Sequence, residues 1–424
     1  MRRWPIATVL VALLLAACGS PGGAPASGAQ TDLQLLLFGG PDEVAGYQAM
    51  TAEFEGANPD VRVTVTPVAN QDDLLAKLAT SFAAGSPPEV FLINFRKYGQ
   101  FAAQGVLRPV QDYLDASDVL SEDDFVSAPL ETFRFDGERL TCQPQNVSSL
   151  VVYYNFDLFE ERDVPLPDDG WTWDAFLAAA TALTGDGTYG LGTEPLLIRL
   201  APFVWSNGGE VTDDQVAPGT LTLDEGPARE ALDFFLDLSL EHGVVPPDVE
   251  EQSENAEARF MRGGLGMYLN SRKSVPNLRG IEGFRWDVAP LPVAPGGTPA
   301  TILHSDAYCI SEGTGKEDTA WRLIEFAMST HGQELLAESG RTVPSRVDVL
   351  ASDVFLEPDL PPASAFVFAD NAQIARATPH TSKWLQVENA ADDILEAMFY
   401  GRIDREEGMR RLVSDTAPLF GSGG

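Results

Sequence analysis

Cysteine, histidine and lysine are the scarce residues of this chain. There are three cysteines and four histidines, and lysine occurs only at positions 77, 97, 273, 316 and 383. The histidines at 242, 304, 331 and 380 stand at no ligand spacing from one another or from the cysteines, so no metal and no cofactor is expected. Positive charge is scarce as well: 28 basic residues face 63 acidic ones, a formal net charge of −35. A surface of that sign repels nucleic acid and anionic lipid heads. The acids are spread along the chain, which favours solubility over a dedicated ligand, and the shortage of lysine reads as compositional bias. No HExxH, Ser-His-Asp order, Gly-rich phosphate loop or fixed-period repeat is present. Beyond the first residues, no apolar run reaches the ~20 residues that a membrane-spanning helix needs.

What is present begins at the N-terminus. Arg2 and Arg3 precede an apolar run from about Ile6 to Leu15, and small residues follow. That order is a secretory signal peptide, and its alternatives are a plain leader or a single anchor. Leu15-Ala16-Ala17-Cys18-Gly19 resembles the bacterial lipoprotein box, with Cys18 as the lipid attachment site. The resemblance divides the start of the chain into a signal peptide (1–17) and a lipidated, flexible tether (18–30), and it places the remainder outside the cytoplasm. The remainder exceeds the ~250–300 residues at which single cores stop growing, so two lobes are expected.

Leu33 to Phe38 reads as a buried strand closed by Gly39-Gly40-Pro41. A helix follows from Asp42, its expected cap, to about Asn58, where Pro59 stops it. Val61, Val63 and Val65 alternate with polar residues as a second strand. Gln71 to Ala84 is helical, and Val90 to Ile93 is a short apolar strand. This alternation predicts a parallel sheet with helices on both faces, whose ligands sit beyond the carboxyl ends of the strands. It resumes after Cys142. Leu150 to Tyr154, Val288 to Leu291 and Ala307 to Ile310 read as strands. A helix capped by Thr172 follows the first of these, and Ala228 to Glu241, Thr319 to Met328, Val387 to Phe399 and Arg405 to Asp415 are further helices.

Several short motifs then occur in one order. They include Phe54-Glu55-Gly56-Ala57-Asn58-Pro59, Ala83-Ala84-Gly85-Ser86-Pro87-Pro88 and Val152-Tyr153-Tyr154-Asn155-Phe156-Asp157-Leu158-Phe159. Trp171-Thr172-Trp173-Asp174 follows, then Phe260, Gly263 and Gly266-Met267. In order and spacing the chain resembles the bacterial extracellular solute-binding proteins of the sugar-binding group, the receptors of ABC importers. The resemblance implies an α/β, two-lobe periplasmic-binding-protein-like fold of type II. Its hinge is made of crossing strands and its ligand lies in the cleft between lobes. The expected lobes are 31–143 plus 307–344 and 144–306 plus 345–424. Implied partners are a carbohydrate ligand, the permease subunits and the membrane through the N-terminal lipid, with the receptor a monomer and no nucleic acid bound. The expected ligand is a neutral or weakly charged mono- or oligosaccharide, bound reversibly and recovered unchanged. Two departures concern the cleft. Phe38 stands where the family often has Trp, and His304-Ser305-Asp306 stands where Gly-rich text is common.

A sugar needs planar acceptors and forked donors for its hydroxyls, and aromatic rings for its C–H faces. Residues of these kinds beyond strand ends are the candidates. Phe38 and Asp42 follow the first strand, with core packing and helix capping as their respective alternatives. Asn94 and Phe95 follow the strand ending at Ile93. Gln145 and Asn146 sit where the chain should cross between lobes. Trp205 and Asn207 lie in a Gly-rich stretch read as a loop, and Tyr268 and Asn270 follow Met267. His304 and Asp306 precede a second crossing, Arg341 precedes a third, and Trp384 either closes the site or packs the second lobe. Adjacent Tyr153 and Tyr154 read as strand core rather than as iron ligands. Because the family's crossings run side by side, Cys142 and Cys309 are placed for a disulfide, with two buried thiols as the alternative. Two rival functions remain: a surface-anchored enzyme acting on polysaccharide, and a receptor feeding a sensor system.

Overall fold

The computed structural model describes residues 30–135 and 137–420. Cys18, the signal segment and all of the tether but its last residue lie outside the described residues. Among the described residues, no helix is long and apolar enough to cross a membrane.

Two sheets form the centres of two lobes. In the first sheet the strand Thr31–Phe38 lies between Val61–Val68 and Val90–Asn94, parallel to both. Its Leu33, Leu35, Leu36 and Leu37 are all buried, as a central parallel strand requires. Val61–Val68 is the edge strand, which is why Pro67 is tolerated there despite its missing N–H. Helices Pro41–Ala57 and Gln71–Ala83 pack on this sheet. The second begins at Asn70, whose side chain accepts from Asp72 and Asp73 N–H. The first is capped by Gly40 with Pro41 opening the helix, so Asp42 is not the cap expected from the sequence.

Asp306–Ser311 completes the first sheet antiparallel to Val90–Asn94, with Cys309 opposite Phe91. Alternation along the chain predicted parallel strands. This one arrives from the other lobe, so its direction follows from the crossing and not from a connecting helix. Gln143–Pro144 pairs antiparallel with the same strand, Tyr308 opposite Gln143. Extending that register by one residue sets Cys142 against Cys309. Their Cα atoms are 4.6 Å apart and a disulfide joins them, at the spacing of a non-hydrogen-bonded antiparallel pair.

The second sheet runs Tyr189–Gly192, Leu265–Asn270, Val151–Asn155, Trp286–Ala289. Val151–Asn155 is antiparallel to both of its neighbours. Its side chains alternate between two cores: Val152 and Tyr154 face one, Val151 and Tyr153 the other. The Tyr153 hydroxyl donates to the Ser271 carbonyl at 2.8 Å. The first core is covered by helices Leu197–Ser206, Gly226–Leu240 and Trp384–Phe399.

Three stretches of backbone cross between the lobes side by side. Asn146 bridges Pro344, and Ser148 bridges His304. Gln145 N–H donates to the Asp306 carbonyl at 2.8 Å and Val147 N–H to the Val343 carbonyl at 3.0 Å. A further contact joins the lobes away from these crossings. Helix Phe95–Ala102 of the first lobe approaches the backbone at His380 so closely that a Cβ on Gly99 would lie 2.2 Å from the His380 oxygen.

Candidate functional site

A cavity of about 300 Å³ opens where the crossings meet the carboxyl ends of the strands. Phe38 ends the first strand, Asn94 the third, and Asn270 the strand Leu265–Asn270. Asn146, His304, Asp306 and Arg341 come from the crossings, and these seven sequence-expected residues all line the cavity.

Asn94 does three things at once. Its Oδ1 accepts from Arg96 N–H at 3.3 Å, capping helix Phe95–Ala102, while its amide donates to the Ser305 carbonyl and to Asp306 Oδ1, both at 3.1 Å. The Asn146 amide donates to Asp306 Oδ2 at 3.1 Å, and its Oδ1 accepts from Asp306 N–H at 2.9 Å. The Asp306 carboxylate is therefore held by one amide on each oxygen. Burial still pushes its pKa up, against the two amide hydrogen bonds.

Beside it, Glu43 Oε2 lies 2.8 Å from Arg341 Nε. The contact is ionic and not a directed hydrogen bond. Desolvation outweighs it, and the Glu43 carboxyl is pushed up to about 7. Across the cavity, Arg199 Nη2 sits 2.7 Å from Glu194 Oε2 and donates to Asn270 Oδ1 at 3.4 Å, while its buried Nε has no partner. Desolvation raises the Glu194 pKa, but the Arg199 and Lys273 charges override it and hold the group below the usual carboxylate value. Lys273 also lines the cavity. Its side chain is exposed to cleft solvent, but the surrounding walls desolvate it and, with Arg199, lower its pKa. Burial first, and then the Arg96, Arg199 and Lys273 charges, hold the His304 pKa well below the usual imidazole value, and its Nε2 has no partner.

The remaining sequence candidates lie elsewhere. Trp205 was expected in a Gly-rich loop. It sits on helix Leu197–Ser206, whose ten residues are all buried, and Arg376 covers its ring at 4.8 Å. The glycines only end that helix. Gly208 takes a φ of 80° and donates to the Trp205 carbonyl, the left-handed stop that favours glycine. Asn207 caps the same end and donates to the Pro227 carbonyl at 2.9 Å. Phe95 is fully buried in the first lobe's core. Gln145 is fully buried, and its carbonyl accepts from Gln333. Tyr268 stacks on Tyr153 within the second lobe, ring centroids 5.9 Å apart. Trp384 is fully buried in the second lobe, where its indole donates to Glu388 Oε2 at 3.0 Å, and Glu388 pairs with Arg96 of the cavity wall. Trp384 thus reaches the site only through two other residues. The side chain of Asp42 lies outside the described residues.

Sequence reasoning missed Arg96, Glu194, Arg199, Ser148 and Lys273. One signal was legible: Arg199 interrupts the apolar run Leu196-Leu197-Ile198-Arg199-Leu200-Ala201, and a charge inside a buried helix calls for a partner.

Residues 40–334 match the family described as bacterial extracellular solute-binding protein. Among curated relatives, the galactooligosaccharide-binding protein of Bacillus subtilis is 22% identical over 413 residues, covering 94% of this chain and 92% of that protein. A lipoprotein of Streptomyces antibioticus of uncharacterised function is 28% identical over 361 residues, covering 82% and 78%. Among solved structures, an ABC substrate-binding protein of Listeria monocytogenes, in complex with cycloalternan, superposes with a TM-score of 0.83. It is 21% identical and covers 93% of this chain and 100% of that one.

Proposed function

We propose a function from one established premise: this chain belongs to the bacterial extracellular solute-binding proteins. Its role is that of an extracytoplasmic receptor for an ABC importer, which captures a sugar or oligosaccharide between two lobes and hands it to the permease without chemical change. One observation carries the reading: the cavity lies at the junction of three crossing segments and is lined from both sheets by side-chain amides and charged groups. Asp306, presented by Asn94 and Asn146, is an acceptor fixed for sugar hydroxyls. Phe38 offers one apolar face. Asn270, His304 and Arg341 complete the contacts with the ligand.

The lobes in this proposal are 31–143 plus 307–344 and 144–306 plus 345–424, with the bonds among 145–148, 304–306 and 343–344 as the hinge. Closure about it signals cargo to the transporter. Cys18 would carry the lipid that tethers the receptor to the membrane, and the Streptomyces lipoprotein relative supports that placement.

Thermal-shift screening against a saccharide panel, followed by calorimetry, tests the reading, because a ligand of the folded state raises the unfolding temperature by mass action. A saccharide that binds and is recovered intact is the expected result. A cleaved product formed at catalytic levels of protein would overturn it.

A further inference from the structure

The cavity wall is charged in a way the rest of the chain is not. A chain with 28 basic against 63 acidic residues places Arg96, Arg199, Lys273 and Arg341 around one cavity of about 300 Å³. Three of these cations have an acid of their own. Arg96 pairs with Glu388, Arg199 with Glu194 and Arg341 with Glu43. Lys273 makes no ion pair or hydrogen bond among the described residues, although one of only five lysines has been placed there.

Cations stand on both sides of the cavity: Arg96 and Arg341 beside the first sheet, Arg199 and Lys273 beside the second. The amide-held Asp306 and Glu43 lie on the side of the first sheet. Arg199 and Lys273 lie on the side of the second, close enough for each to act on the other and on Glu194. Arg199 Nε is buried with no acceptor, and a buried, unpaired guanidinium N–H is costly unless something accepts from it. Aromatic surface is sparse by contrast, since among the described residues Phe38 is the one Phe, Tyr or Trp lining the cavity. A neutral oligosaccharide is gripped largely through rings that cover its C–H faces. This wall has little of that surface, and it holds one cation, Lys273, without an acid of its own and one buried guanidinium N–H, Arg199 Nε, without an acceptor.

We infer that the ligand is an acidic carbohydrate, whose carboxylate or phosphate is taken by Lys273 and Arg199 while its hydroxyls face Asp306, Asn94 and Asn146. The inference rests on the receptor reading above and narrows it: the neutral sugar expected from family resemblance gives way to an anionic one. Ammonium and guanidinium donors to an anion form the stronger, charge-assisted class of hydrogen bond. Lys273 therefore decides between an acidic sugar and its neutral counterpart.

The test is titration calorimetry on the mature protein with matched ligands: glucose, glucuronic acid, glucose 6-phosphate, galactose, galacturonic acid and short oligogalacturonates. At least one acidic member should bind about tenfold or more tighter than its neutral partner, and the preferred member tells carboxylate from phosphate. Lys273→Gln removes a cleft-exposed charge without disturbing a buried pair. It should weaken the acidic ligand by about tenfold or more, and by more than it weakens any neutral ligand, while Lys273→Arg should retain most of the affinity. Neutral sugars binding as well as or better than their acidic partners would overturn the inference and leave the receptor reading standing. Acidic ligands that bind wild type and Lys273→Gln alike would overturn the role given to Lys273. Failure of every saccharide, neutral and acidic, would remove both the inference and the reading beneath it.

Discussion

Replacing Cys142 and Cys309 together by alanine should lower stability by several kcal/mol while leaving the cleft untouched, with ~5 kcal/mol from the loop alone. Both residues are fully buried in the first lobe's core, and their bond closes a loop with a sequence separation of 167. That loop contains the second sheet. The unfolded, oxidised chain can never separate the two ends, so breaking the bond returns conformational freedom to the unfolded state. The chain-entropy relation gives ~5 kcal/mol for a loop of this length, as an upper value. Removing two buried sulfur atoms adds packing losses of about 1 kcal/mol each, on the scale of a buried methylene. Urea unfolding of the wild type and the double variant should therefore show a clearly lower midpoint for the variant. The slope against urea should be steeper, because an untethered chain exposes more surface when it unfolds. Neither cysteine lines the cavity, so ligand affinity should hold. The reasoning fails if the variant lies within about 1 kcal/mol of wild type, since the loop term alone is several times that. It also fails if mature secreted protein, denatured without reductant, yields two alkylatable thiols by mass spectrometry.

Trp205→Ala should cost about 3–5 kcal/mol of stability, the usual range for a buried Trp truncation, with ligand affinity retained; a folded variant of normal stability that has lost binding would return Trp205 to the site. The pH dependence of stability should carry the mark of Glu43. Its carboxyl rises from an ordinary 4.5 to about 7 on folding, so its contribution is complete below about pH 4.5 and is lost as pH climbs through 7, by up to ~3 kcal/mol. Asp392, pushed up to about 7 by burial and by Glu388, acts in the same direction. Glu43→Gln should flatten the curve of urea midpoint between pH 5 and 8, and superimposable curves for the two proteins would refute the assignment. Gly99→Ala should force the helix away from His380, with about 1–3 kcal/mol lost to overpacking; a variant as stable as wild type in thermal unfolding would show that this contact between lobes yields freely.

The local elements were legible in the sequence because each has a local cause. Leu33 to Phe38 is continuously apolar and became the buried strand Thr31–Phe38. Gln71 to Ala84 carries a stripe of Leu74, Leu78 and Phe82; the first two are buried in the helix Gln71–Ala83 and Phe82 is half-buried against the same core. Thr172 caps Trp173–Ala182, its hydroxyl accepting from Ala175 N–H at 3.3 Å. The cavity lining was legible at two places where a polar residue closes an apolar strand, Asn94 and Asn270. It failed at Trp205 because two glycines in sequence mark a chain reversal without saying whether the residue before them lies in a loop or in the last turn of a buried helix.

The sequence by itself determined the acidity of the chain, its alternation of strands and helices and the order of motifs that marks its family. Each of these is read from composition or from short runs in chain order, without knowing which distant residues meet. Only the tertiary structure decided that Asp306 meets Asn94 and Asn146, at sequence distances of 212 and 160. Only it decided that Cys142 faces Cys309, and that Lys273 shares a cavity with Arg199. Those meetings are set by strand pairing and packing between segments far apart in the chain, and register follows from how whole sheets assemble, which no local pattern of residues records.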